Sequence, residues 1–429
     1  MPLSDNVRNA IVDAVEQGFT DQIEFTKALV RFPSTRGQEH EIMAFIAGQL
    51  SDRGYEVDQF DMDPAALEAH EGGGRITPEH STAPIVVGTH QPANETGRSL
   101  ILQSHVDVVP AGPDSMWHHP PFEPHVEGDW LYGRGGADMK AGQAQIFFAM
   151  DALRRAGFAP AGRVHLQTVV EEESTGNGAL MTYLKGYDAD AVLIPEPEEE
   201  MLVRANVGTL WFQVEVQGKP VHVREMGSGA NAIDAAYRVI AALRGLEEAW
   251  NAEKTDHRFF EELDHPINLN IGKIEGGDWA SSVPSWCRVD CRIAIYPGMK
   301  AADAARQIED TISAFAADDP YLSNSPPTVT FNGFFSEGYT LDPGSEAEAV
   351  LGRAHHAATG EDLQSFVTPG YLDCRVYQLY NRIPSLCYGP ISENIHGVDE
   401  RVSVESIRRT TIAMALFIAE WCGVEAIET

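Results

Sequence analysis

The sequence predicts an α/β protein whose mainly parallel sheet is interrupted by a second, inserted domain. Three observations carry this. From Asn6 to Ile194, helix-like periodicity alternates with short apolar runs, the βαβ signature of a sheet covered by helices. From Thr209 to Asn332 the order becomes β-α-β-β-α-β, the split arrangement of a ferredoxin-like domain. After Glu346 the first pattern returns, so a domain of residues 207–333 lies within one made of 1–206 and 334–429. A chain of 429 residues is long enough for two cores.

Taken in order, Asn6–Val30 and Glu39–Arg53 read as amphipathic helices, the second stopped by Gly54. Apolar runs at Ala83–Gly88, Ser99–Gln103, Arg163–Val170 and Ala189–Ile194 are bounded by turn residues and predict strands. A helix over Gln143–Ala156 separates two of them. In the insertion, Thr209–Val216 alternates as an antiparallel strand does, and Asn231–Trp250 is helix-like. Strands at Ile267–Ile274 and Cys287–Ile295, a helix at Ala301–Ala316 and a strand at Thr328–Asn332 follow. Glu346–Thr359, Ser385–Tyr388 and Val404–Trp421 supply a helix, a strand and a closing helix.

The formal charge of −33 argues against nucleic acid or an anionic membrane as partner, since either repels such a chain. Met1–Asp21 has no apolar segment of the signal-peptide kind, and no apolar run reaches the roughly 18–20 residues that span a bilayer. A soluble cytoplasmic protein is expected. The five cysteines form no C-x-x-C pair and read as buried free thiols in a reducing compartment.

Five short motifs carry candidate chemistry. In Leu100-Ile-Leu-Gln-Ser-His105-Val-Asp107 an apolar strand ends on His and Asp two apart, so both point to one face, and Asp107 is placed to orient the imidazole. Gly133-Arg-Gly-Gly-Ala-Asp138-Met-Lys-Ala-Gly142 opens a helix, lacks the phosphate-loop ending, and carries the single carboxylate Asp138. In Val169-Val-Glu171-Glu172-Glu173-Ser-Thr-Gly176, three acids repel one another unless cations neutralise some of them. Glu196 stands at another strand end between two prolines, and His396 lies in Glu393-Asn-Ile-His396-Gly-Val-Asp-Glu400. Alone, each is read as a satisfied histidine or a solvated acid. Together, His105, Asp138, Glu173, Glu196 and His396 make a donor set for zinc or a similar divalent ion. Most lie where open α/β sheets place their sites, at the carboxyl ends of strands. Two metals sharing Asp138 leave Glu172 free as a general base.

In order and composition these motifs resemble those of the acetylornithine deacetylases, succinyl-diaminopimelate desuccinylases, aminoacylases and glutamate carboxypeptidases, hydrolases with two catalytic zinc ions. The resemblance covers nearly the whole chain. It implies that Asp138 bridges two Zn²⁺, which Co²⁺ or Mn²⁺ replace in some settings, with His105 and Glu196 on one ion and Glu173 and His396 on the other. Asp107 then orients His105 and Glu172 is the base, the last two of the three glutamates being aligned with base and ligand. The insertion resembles the family's lid and dimerisation domain, whose His, here His222 in Gly218-Lys-Pro-Val-His222, reaches the neighbouring subunit's site to stabilise the oxyanion. Such a donor is worth ~3–4 kcal/mol. Arg292 and Arg375 match positions that meet substrate carboxylates, although Tyr371 stands where relatives have Thr. Trp117, His118, His119 and Phe122 are expected to pack beneath the site. The implied activity is hydrolysis of a small N-acyl amino acid or N-acyl amine, acetylornithine deacetylase-like, by a homodimer. A metallo-dipeptidase or carboxypeptidase, and a deformylase of an N-formyl heterocyclic amine, remain open. Metal binding without catalysis would need a missing base or ligand, and every position is filled.

Overall fold

A computed structural model describes residues 2–427. Its central six-stranded sheet runs Glu56–Phe60, Ile85–His90, Val164–Val169, Leu100–His105, Val192–Ile194, Ser385–Cys387. The last four are mutually parallel, while the first two run antiparallel at one edge. Val164–Val169 and Leu100–His105 are buried along their whole length, as parallel strands covered on both faces must be. Glu56–Phe60 was not foreseen. Four of its five positions are at least partly exposed, so this edge strand has no apolar run to betray it.

Helices Asp5–Val30, Ala141–Arg155 and Val404–Cys422 pack on one another, and His40–Asp52 packs beside Ile85–His90. Side-chain caps explain several starts: Ser4, Ser345 and Ser403 accept from the N–H groups of Val7, Glu348 and Ser406. One hydrophobic core combines residues from Ile11–Val203 with residues from Tyr339–Cys422.

The intervening chain has its own core. Strands Gly208–Gln217, Leu269–Gly276, Trp286–Ile295 and Thr328–Ser336 form an antiparallel sheet in the order second, third, first, fourth. Helices Ala232–Ala252 and Ala301–Asp318 pack against each other and against this sheet. The β-α-β-β-α-β order is therefore present. Small sheets went unforeseen, such as Leu202–Asn206 with Tyr339–Thr340 and Ser365–Thr368, because strands of two to five residues have no period to read. Among the described residues no helix is long and apolar enough to cross a membrane, and all five cysteines are buried free thiols.

Candidate active site

Parallel register does most of the assembly. His105 is paired with Val169, the last residue before Val170 and the three glutamates, and Leu102 pairs with Leu193, just before Pro195-Glu196. Three adjacent strands thus deliver His105, Glu172–Glu173 and Glu196 to one edge. Asp138 arrives from the turn Gly136–Lys140 that enters helix Ala141–Arg155. The motif's Gly142 has a packing reason: a Cβ there would come within 2.3 Å of the Pro195 carbonyl oxygen. The motif's Lys140 is structural too, fully buried with Nζ donating to the Phe32 carbonyl (2.7 Å).

The two oxygens of Asp138 face different imidazoles. Oδ1 is 3.1 Å from His105 Nε2 and Oδ2 is 3.2 Å from His396 Nε2. Glu196 Oε1 lies 3.6 Å from His105 Nε2, and Glu173 approaches His396 Nε2 at 3.1 Å. Donor atoms of His105, Asp138 and Glu196, and separately of Asp138, Glu173 and His396, lie within 4.8 Å of one another. Glu172 Oε2 stands 3.8 Å from His105 Nε2. The carbonyl oxygen of Asp107 meets His105 Nδ1 at 3.0 Å, nearer than its carboxylate at 3.6 Å. That carboxylate instead accepts from the N–H groups of Glu172 (3.4 Å) and Glu173 (3.1 Å), tying the histidine strand to the glutamate loop.

The cluster is short of positive charge. Burial pushes the Glu172 carboxyl well above its ordinary range, and Asp373, Glu196 and Glu173 add to this against the opposing charge of His105. Glu196 is raised likewise, by burial and then by Asp138 and other acids, against His105. Burial disfavours charge on His105, yet Glu196, Glu172 and hydrogen bonds with Asp107 and Asp138 hold it well above its usual value. Half-exposed His396 is lifted to about 11, chiefly by Glu173. Glu196 Oε1 is buried without a hydrogen-bond partner. An orphaned carboxylate oxygen, a carboxylate split between two imidazoles and a surplus of buried acid all fit divalent cations.

The other expected residues fare differently. Glu171, first of the three acids, is neutralised by an arginine: Arg36 Nε and Nη2 reach its two oxygens at 2.7 and 2.8 Å. The Ser81 N–H and Thr175 hydroxyl also donate to it. Glu171 is fully buried, so Arg36→Ala strands a carboxylate and is expected to cost about 3 kcal/mol or more. Urea unfolding with an unchanged midpoint would refute this.

His222 is exposed on the inserted domain, its Nδ1 accepting from the Arg224 N–H (3.2 Å), and no hydrogen bond or ion pair among the described residues joins it to the cluster. Arg292 is half-buried, with Nη2 donating to Thr209 Oγ1 (3.2 Å) and the Pro369 carbonyl (3.0 Å). Arg375 does not fit the expected carboxylate reader. It is fully buried, with donors committed to the Gly72 carbonyl (2.7 Å) and the hydroxyls of Tyr371 (3.2 Å) and Tyr380 (3.4 Å). Nor do His118 and His119 pack beneath the site. Both are exposed in a proline-rich loop, where His118 Nδ1 pairs with Asp399 at 2.5 Å. Arg36, Arg134 and Glu400 carry contacts to which sequence reading assigned no role.

Carboxylates and imidazoles gathered at the carboxyl edge of this sheet, with the further buried acid Glu172 beside them, mark a metal-dependent hydrolase. The chain belongs to peptidase family M20/M25/M40, whose sequence model matches residues 101–420. It is 28% identical to N-formyl-4-amino-5-aminomethyl-2-methylpyrimidine deformylase of Bacillus subtilis (strain 168), over 95% of this chain and 96% of that one. To the succinyl-diaminopimelate desuccinylase of Dinoroseobacter shibae it is 27% identical, over 90% and 96%. Among solved structures, a dipeptidase of Saccharomyces cerevisiae superposes with a TM-score of 0.77 at 16% identity, covering 98% of this chain and 99% of that one, a likeness of fold. The chain is thus a metal-dependent amidohydrolase, as its motifs led us to expect.

Proposed function

We propose that this enzyme is a two-zinc deacylase of small N-acyl amines, with the formamide of a heterocyclic amine as its best substrate. The observation that carries the two-metal reading is the placement of Asp138, one oxygen toward His105 and the other toward His396. His105 and Glu196 would hold one ion, Glu173 and His396 the other, with Asp138 shared and Co²⁺ or Mn²⁺ able to substitute. Bound there, two divalent ions supply Lewis acidity toward the amide carbonyl and make water acidic enough to attack near neutral pH.

The chain's own residues do the rest. The Asp107 carbonyl holds the proton on His105 Nδ1 and leaves the Nε2 lone pair free for a metal ion. Glu172 takes a proton from the attacking water and returns it to the amide nitrogen as the C–N bond breaks, releasing the acid and the free amine. His222 donates to the carbonyl oxygen from the second subunit of a homodimer formed through the lid. Exposed apolar side chains on that domain, Val223, Met226, Tyr237, Ile274 and Trp279, support such a contact. Buried thiols suit a cytoplasmic setting.

The acyl preference rests on Tyr371 and Arg375, together with the deformylase names among the relatives. The Tyr371 hydroxyl lies so close to Gly176, on the loop of Glu172, that a Cβ at Gly176 would fall 1.8 Å from it. With Arg375 committed, Arg292 is left as the side chain suited to a polar substrate group. A zinc-loaded panel tests this: the N-formyl aminomethylpyrimidine should surpass N-acetylornithine, N-succinyl-diaminopimelate and dipeptides in kcat/KM. Tyr371→Thr should shift the ratio about tenfold toward the larger acyl groups. An N-acetyl or N-succinyl amino acid as best substrate of the unmodified enzyme would refute the formyl reading.

A further inference from the structure

Two loops far apart in the chain must hold Asp138 and His396 together, and they exchange side chains to do so. Arg134, four residues before Asp138, and Glu400, four after His396, form an ion pair in which both are 1% exposed. Arg134 crosses to the His396 loop: Nη1 donates to the Glu400 carboxylate, and Nη2 to the carbonyls of His396 (3.2 Å) and Gly397 (3.0 Å). Glu400 crosses back. Its Oε1 accepts from the N–H groups of Ala137 (3.0 Å) and Asp138 itself (3.2 Å). A main-chain bond from Gly133 N–H to the Glu400 carbonyl (3.0 Å) closes the strap.

The His396 loop needs such support. Asn394, His396 and Asp399 all have positive φ (59°, 61° and 56°), a conformation that costs non-glycine residues free energy and persists only when surroundings over-determine it. Contacts to the carbonyl groups of His396 and Gly397 supply part of that constraint, whereas the imidazole itself is half-exposed.

We propose that Arg134 and Glu400 are positioning residues that set the separation of Asp138 and His396, and thereby the affinity of the metal site formed by Asp138, Glu173 and His396. Neither residue is among the grouped metal-donor side chains. The inference rests on the two-metal reading above.

The test uses full-length metal-free protein titrated with Zn²⁺ against a fluorescent chelator, which yields a dissociation constant for each equivalent. Glu400→Gln keeps the shape and removes one charge. The double variant Arg134→Met/Glu400→Gln removes both charges, a replacement that buried pairs often tolerate. Both should weaken one equivalent by about 10- to 100-fold and leave the other within about threefold, with the weakened one identified as that lost in His396→Ala. Circular dichroism of both metal-free variants should match the unmodified chain, and so should unfolding of the double variant, whereas Glu400→Gln alone leaves Arg134 unpaired and should unfold at a lower denaturant concentration. Unchanged constants, or both equivalents weakening together, would overturn the proposal. Uptake of fewer than two equivalents by the unmodified chain would instead overturn the two-metal reading.

Discussion

Glu172→Gln is expected to keep both metal ions and lose about 10²- to 10⁴-fold in turnover. Glutamine has the same shape but cannot take a proton from water and give it to a leaving nitrogen. The five proposed ligands are untouched, so metal content should hold. Glu172 lies outside the two groups that share Asp138, its donor atoms falling instead within 4.8 Å of those of His105 and Glu173, and it stands 3.8 Å from His105 Nε2. Near-normal turnover would move the base elsewhere. Glu171 is a poor substitute, because Arg36 already occupies both of its oxygens.

His222→Ala should lower kcat by about 10²- to 10³-fold, the usual cost of one oxyanion donor. Because His222 stands exposed and apart from the cluster in its own chain, the loss should be rescued across subunits. Glu172→Gln chains and His222→Ala chains, each nearly inactive, are mixed and allowed to exchange. A mixed dimer holds one site with Glu172 from one subunit and His222 from the other, so an equal mixture should recover about a quarter of full activity. No recovery after demonstrated exchange would remove His222 from the partner's site.

What could be read without coordinates were features written in consecutive residues. The strand ends at His105, after Val169 and after Ile194 were legible because apolar runs stop there and chemistry-bearing residues follow. The antiparallel inserted sheet was legible because Gly208–Gln217 alternates buried and half-buried positions along most of its length. What escaped depends on partners far apart in the chain. Arg36 and Glu171 are 135 positions apart, and Arg134 and Glu400 are 266 apart, so neither pair leaves a local pattern. Arg375 misled for a related reason. Its motif signals a guanidinium near the site, but only the fold reveals that Gly72, Tyr371 and Tyr380 occupy its donors. The substitution at Tyr371 was visible, and its contact with Gly176 was not.

The central claim, that Asp138 joins two metal sites, is tested most directly by metal content. Metal-free protein is saturated with Zn²⁺, freed of excess by gel filtration and analysed for zinc per chain. Two equivalents are predicted, because each oxygen of Asp138 faces its own imidazole. One equivalent or none at saturation would contradict the account.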